Sequence, residues 1–174
     1  MSQSLTDLSD LIGSVQEQAV HLEMRDGYGV GNEIDGFAAG KEGHRLDPDD
    51  RASWWRPWLD LAHEVTAKGV VIRKARIVSE PVSDYIAFEH SFTFANVAGG
   101  EQVRWFPRRN ASDLALPGND FWLSAGRLGQ FNIIDGVGRW VYTDQTEEPA
   151  VAAHCAAAFE AVWERGIPHE KYAV

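Results

Sequence analysis

Leu5, Leu8, Leu11, Ile12 and Val15 recur at helical spacing near the start of the chain, with Ser4 or Thr6 available as an N-cap. A short amphipathic helix is predicted there. From Ser53 the apolar positions Trp54, Trp58, Leu61 and Val65 again follow helical spacing, with Pro57 in the first turn and Lys68-Gly69 as a stop. Residues 70–78 (VVIRKARIV) then switch to β-branched composition with Arg73, Lys74 and Arg76 interleaved, which reads as a strand. A helix that ends in glycine and feeds a Val/Ile-rich strand is half of an α/β unit.

Ser79-Glu80-Pro81 breaks that strand. The following VSDYIAFEHSF suits a helix with Tyr85, Phe88 and Phe92 on one face and Ile86 and His90 on another, closed by Gly99-Gly100. Residues 102–108 read as a short strand, 120–126 and 128–134 as a hairpin turning at Ala125-Gly126, and 138–144 as a last strand after Asp135-Gly136. Thr146 is placed to cap a final helix whose Val151, Cys155, Phe159, Val162 and Trp163 form one stripe, with Gly166 as its stop and Pro168 beyond. This succession of helices and strands predicts an α/β or α+β fold. It is expected to be a single domain over residues 1–174, with helices packed on a sheet of about four strands. Residues 27–50, rich in Gly and Asp, are expected to form a flexible loop or lid.

Composition adds exclusions. The 174 residues carry 16 Lys+Arg against 26 Asp+Glu, a formal net charge of −10, so the overall field repels phosphate and direct nucleic-acid binding is not expected. At 44% hydrophobic and 24% charged, the chain has enough apolar surface for a core, including seven Trp and eight Phe. The lone cysteine, Cys155, permits neither an intrachain disulfide nor a multi-cysteine zinc site. The start MSQSLTDLSDL lacks a basic segment and an apolar segment, and no run of apolar residues is long enough to span a bilayer. A cytoplasmic protein without membrane contact is expected.

No strong catalytic motif stands out. The six histidines, at 21, 44, 63, 90, 154 and 169, include no zinc-protease pair, and no metal or cofactor is implied. There is no Gly-x-Ser-x-Gly turn, and Cys155 falls on the apolar stripe of the last helix, where a thiol packs as an inert group. The informative feature is basic: Arg73, Lys74, Arg76, Arg104, Arg108, Arg109, Arg127 and Arg139, eight of the 16 cationic residues, lie in or beside predicted strands. Two readings stand. The arginines form an anion site through bidentate contacts, or they pair structurally with Glu80, Asp84, Glu89 and Asp113. The turn Pro117-Gly118-Asn119-Asp120 places Asn119 and Asp120 where the chain enters the hairpin, to meet a ligand or to cap the turn itself. Arg76, Arg104, Arg108, Arg109, Asn119 and Asp120 are therefore the candidate ligand-binding set.

The runs FEHSFTFANVAGGEQVRWFPRRNASDLALPGNDFWL, FNIIDGVGRW and FEAVWERGIPHEKY, with LEMRDGYGV and WWRPWLDL upstream, resemble an actinobacterial family classed as a domain of unknown function. The resemblance covers about residues 20–172. It implies a short cytoplasmic protein encoded near helix-turn-helix regulators, with such a regulator as a partner, while the arginines point to an anionic small molecule as the other candidate partner. The element order also resembles half of a phospholipase D-type domain. That superfamily attacks phosphorus with the His of a His-x-Lys motif that is followed four residues later by Asp. The stretch Leu116 to Trp122 has neither His nor Lys, so this resemblance implies the fold without the phosphodiesterase chemistry. Two functions are expected from these readings. The first is a non-catalytic regulatory or accessory protein that binds an anionic small molecule or a protein partner. The alternative is a small enzyme of specialised metabolism with Glu89 or His90 as general acid/base.

Overall fold

In the computed structural model, which describes residues 10–28, 37–38 and 47–174, seven strands join in one mixed sheet. They are β1 (Gln18–Glu23), β2 (Val71–Val78), β3 (Gln102–Pro107), β4 (Asp120–Ser124), β5 (Leu128–Ile134), β6 (Trp140–Thr146) and β7 (Ile167–Pro168), in the spatial order β6-β5-β4-β1-β2-β3-β7. The helices are α1 (Arg51–Trp54), α2 (Pro57–Ala67), α3 (Asp84–Ala98) and α4 (Pro149–Arg165). β1, β2 and β3 run parallel, and α3 provides the crossover between β2 and β3. β4 returns to the opposite side of β1, antiparallel to it, and leads into the β4-β5-β6 meander.

The strand period of two divides the sheet into two faces. On one face Val20, Leu22, Ala75, Ile77, Phe106 and Phe121 meet Cys155, Phe159 and Val162 of α4 in the largest apolar cluster. On the other, Ala19, Ile72 and Trp122 meet Ala62 and Val65 of α2. Further along the same face, Val78 and Trp105 meet Tyr85 and Ile86 of α3. Gly100 ends α3 at φ +101°, and a Cβ there would lie 2.4 Å from Thr66 Oγ1, so the helix end lies against α2 only because the residue is glycine.

The sheet has seven strands, not about four. β1 escaped the local pattern because His21 and Glu23 find their partners on β2, some fifty residues further along the chain, and β7, with two residues, is too short to show a period. The helix expected from Ser53 divides in two. Trp55 and Arg56 are extended (Arg56 φ −129°, ψ 157°), as the residue before a proline tends to be, and Pro57 opens α2 at its first position. Thr146 belongs to β6 and accepts a hydrogen bond from Glu148 N–H at 3.1 Å; Glu148 is the N-cap of α4, with Pro149 behind it. Of the N-terminal helix, residues 10–13 are helical, whereas Leu5 and Leu8 lie outside the described residues, as does most of the 27–50 segment. No helix among the described residues is long and apolar enough to cross a membrane.

Candidate functional site

A sheet flanked by helices on both faces ordinarily presents apolar side chains to each. The face toward α2 and α3 departs from this. The register sets Lys74, His21, Trp122, Gln130 and Gln145 side by side across β2, β1, β4, β5 and β6. One step toward the carboxyl ends of the parallel strands, Trp105, Arg76 and Glu23 adjoin across β3, β2 and β1, and Asp120, Asn132 and Thr143 adjoin across β4, β5 and β6. These two rows form a polar floor. It lies where the chain, having added β2 and β3 on one side of β1, adds β4 on the other, the reversal of strand order at which open α/β sheets bind ligands.

Charge on the floor is buried and paired. Glu23 lies 2.9 Å from Lys74 Nζ and 2.8 Å from Arg76 Nε, and Arg76 Nη2 donates to Glu89 of α3 at 2.7 Å. The Glu23–Arg76 contact falls outside hydrogen-bond alignment, so it acts as an ion pair only. Burial works against the charge on Glu23, but the cations beside it prevail and hold its pKa at about 2. Burial likewise opposes the charge on Arg76, and Glu23 and Glu89 overcome it and keep the guanidinium ionised. His21, 6% exposed and stacked on Trp122 with centroids 4.1 Å apart, is pushed down to about 3 by burial and stays neutral.

At the edge of the floor, Asp120 accepts hydrogen bonds from Met24 N–H (2.9 Å) and from the Tyr28 hydroxyl. Burial raises Asp120 to about 6, with Glu23 adding to the rise and the Tyr28 bond moderating it. Its sign is opposite to that of its neighbours. His21 and Glu23 resist protonation in the folded chain, so their contributions to stability decline as the pH falls below about 6.5 and about 4.5 respectively. Folded Asp120 instead takes up its proton at a higher pH than unfolded Asp120, so its burial penalty is relieved as the pH falls from about 6 to about 4. Relative to the wild type, an Asp120→Asn variant should therefore lose about 2 to 3 kcal/mol of stability between about pH 8 and about pH 4. Urea unfolding at the two pH values measures this; a relative gain on acidification would contradict it.

The six expected ligand-binding residues are divided by the structure. Arg76 and Asp120 stand on the floor. Arg104 lies on the opposite face, donating to the Trp163 carbonyl at 2.7 Å with its guanidinium 4.5 Å from that indole ring. Arg108 ties the ends of β1 and β2 together by donating to the carbonyls of Met24 (2.7 Å) and Ile77 (3.0 Å) and to Ser79 Oγ (3.0 Å), with Asp26 as its ion-pair partner. Arg109, largely exposed, pairs with Glu80, and Asn119 sits in the bend just before β4. Of the two acid/base candidates, Glu89 reaches the floor through Arg76, whereas His90 Nε2 lies 3.0 Å from the Tyr172 carbonyl and its ring packs on His169. No group of three or more His, Cys, Asp or Glu among the described residues is arranged to hold a metal ion.

The floor residues not anticipated were His21, Glu23, Tyr28, Gln130, Asn132 and Thr143. The alternation in GQFNII, with Gln130 and Asn132 two apart, was the one local sign that a polar row crosses this strand.

No curated protein matches the chain. Among solved structures it is similar to Nuc, a phospholipase D family member from Salmonella typhimurium, at 9% identity over 94% of this chain and 88% of that one, with a TM-score of 0.49. It is also similar to TrmBL2, an archaeal chromatin protein described with a novel mode of DNA binding, at 11% identity and a TM-score of 0.50. That match covers 95% of this chain and 50% of TrmBL2. At such identities the likeness extends to the fold alone. The sequence-level match is decisive: the model of DUF6879, a domain of unknown function, matches residues 6–174, and the chain belongs to that family.

Proposed function

We propose that this chain is a non-catalytic accessory or regulatory protein that binds a small anionic molecule on the polar face of its sheet, against Arg76 and His21. The supporting observation is Arg76 Nη1. Arg76 is only 6% exposed; its Nε faces Glu23 and its Nη2 donates to Glu89, while the buried Nη1 has no acceptor among the described residues. Buried donors are ordinarily satisfied, and a carboxylate or phosphate oxygen is the strongest acceptor for a guanidinium N–H. Both ring nitrogens of His21 also lack a hydrogen-bond partner among the described residues, Nδ1 lying 3.6 Å from Glu23 Oε1, so this neutral imidazole offers a second donor without adding charge.

Thermal melting of the chain with a panel of phosphate monoesters and small carboxylates tests the reading. At least one compound should raise Tm in the wild type. His21→Phe, which keeps the stack on Trp122, and Arg76→Lys, which keeps the charge but loses the planar fork, should each weaken that compound about tenfold or more. Absence of any stabilisation, or an effect unchanged in both variants, would refute it.

A second reading, a small enzyme, is favoured by one observation, which concerns a different group from Glu89 or His90. Asp120, raised to about 6 and bonded to Tyr28 at the rim of the floor, can exchange a proton near neutral pH. Turnover of a bound compound that Asp120→Asn abolishes, with binding retained, would favour this reading.

A further inference from the structure

The floor changes character between β1 and β6. On β1 and β2 it is ionic, whereas on β5 and β6 it is made of neutral groups, several of whose buried hydrogen-bonding atoms have no partner among the described residues. Gln130 is fully buried; its Oε1 accepts from Gln145 Nε2 at 2.8 Å, but its own Nε2 has no acceptor among the described residues. Asn132 Oδ1, Thr143 Oγ1 and Trp140 Nε1 are likewise without partners there. Asn132 pairs in register with Asp120 on one side and Thr143 on the other, so amide and hydroxyl groups adjoin across neighbouring strands.

We infer that this neutral half is a second subsite, and that the ligand is a hydroxyl-rich molecule bearing a single anionic group, of the sugar-phosphate or sugar-acid class. The inference rests on the anion-binding reading above. Four arguments carry it. Hydroxyl groups both donate and accept, which suits a mixture of amide N–H, amide oxygen and threonine hydroxyl. An apolar ligand would leave all these buried groups unmatched. A second anionic charge on the ligand would find no counter-ion there, because neither β5 nor β6 carries a Lys or Arg. The Arg76 guanidinium leans toward β1, its Nε 2.8 Å from Glu23 there, and two strand spacings separate β1 from Gln130 and Asn132 on β5, about 10 Å, which is the length of a hexose phosphate.

Titration calorimetry of the full chain with inorganic phosphate, glucose 6-phosphate and glucose distinguishes the outcomes. Glucose 6-phosphate should bind about 30-fold tighter than inorganic phosphate, as expected for two to three added neutral hydrogen bonds. Thr143→Val, which keeps the side-chain shape, and Asn132→Leu should each cut that advantage by about fivefold or more while leaving phosphate affinity unchanged. Equal affinities for phosphate and glucose 6-phosphate, or an advantage untouched by both variants, would overturn the subsite and leave the anion reading standing. Glucose binding that is sensitive to Thr143→Val, with no phosphate affinity, would overturn the anion reading and, with it, the anionic half of this inference. Binding of none of the three overturns the subsite, the unpartnered groups then being served by water alone, and leaves the anion reading to the carboxylates of its own panel.

Discussion

Replacing Arg76 with methionine is expected to destabilise the fold by about 3 to 5 kcal/mol, the range for removing one member of a buried ion-pair network. The guanidinium is the shared counter-charge of Glu23 on β1 and Glu89 on α3, all three side chains being 13% exposed or less. Methionine fills much of the same volume, so the loss measures electrostatics more than a cavity. Without Arg76, Glu23 retains Lys74 at 2.9 Å, but Glu89 is left as a buried carboxylate without its guanidinium partner. One consequence separates this from a generic packing defect: adding Glu89→Gln should recover part of the loss at neutral pH. Urea unfolding of the single and double variants measures it. A loss below about 1 kcal/mol would mean that the pair behaves as an exposed one.

Phe159→Ala is expected to cost a similar amount, about 3 to 5 kcal/mol, for a different reason. Phe159 is fully buried in α4, stacked on Trp163 with centroids 5.6 Å apart, and the Arg73 guanidinium lies 5.0 Å above its ring. Its neighbours Leu22, Ala75 and Ile77 come from the central strands and cannot follow a shrinking side chain without breaking the ladder. Truncation therefore leaves a cavity, and Tm should drop by roughly 10 °C. This loss, unlike that of Arg76→Met, should not be recovered by Glu89→Gln. Ligand binding on the opposite face, measured below the new Tm, should persist. Loss of both together would show that the two faces of the sheet are not independent.

The two variants probe one sheet from its two sides, and the sequence disclosed those sides unequally. The apolar side was legible. The stripe Val151, Cys155, Phe159, Val162 and Trp163 was readable from helical spacing alone, and four of the five are buried in α4 against the sheet, with Val151 partly buried beside them. The segments of α2, α3, β2, β3 and the β4-β5 hairpin were also readable. The turn at Ala125-Gly126, where φ is 48° and 66°, supplies two successive positive-φ residues within the three-residue connection between β4 and β5.

The polar side was not. The basic residues of strand 71–78 looked like a single cluster, yet alternation sends Arg73 to Glu160 beneath the sheet and Lys74 and Arg76 to Glu23 above it. Arg104, expected beside Arg108 and Arg109, sits under the sheet with Trp163.

The sequence by itself determined the local elements, because helical and strand periods are set by residues a few positions apart. It also determined the acidity and the absence of a disulfide. Only the tertiary structure decided that residues 18–23 form the central strand and that His21, Glu23, Arg76, Asp120, Gln130 and Asn132 share one face. Strand neighbours are chosen by burial across the whole chain, and a polar residue in a buried strand is stabilised by partners that no local window contains.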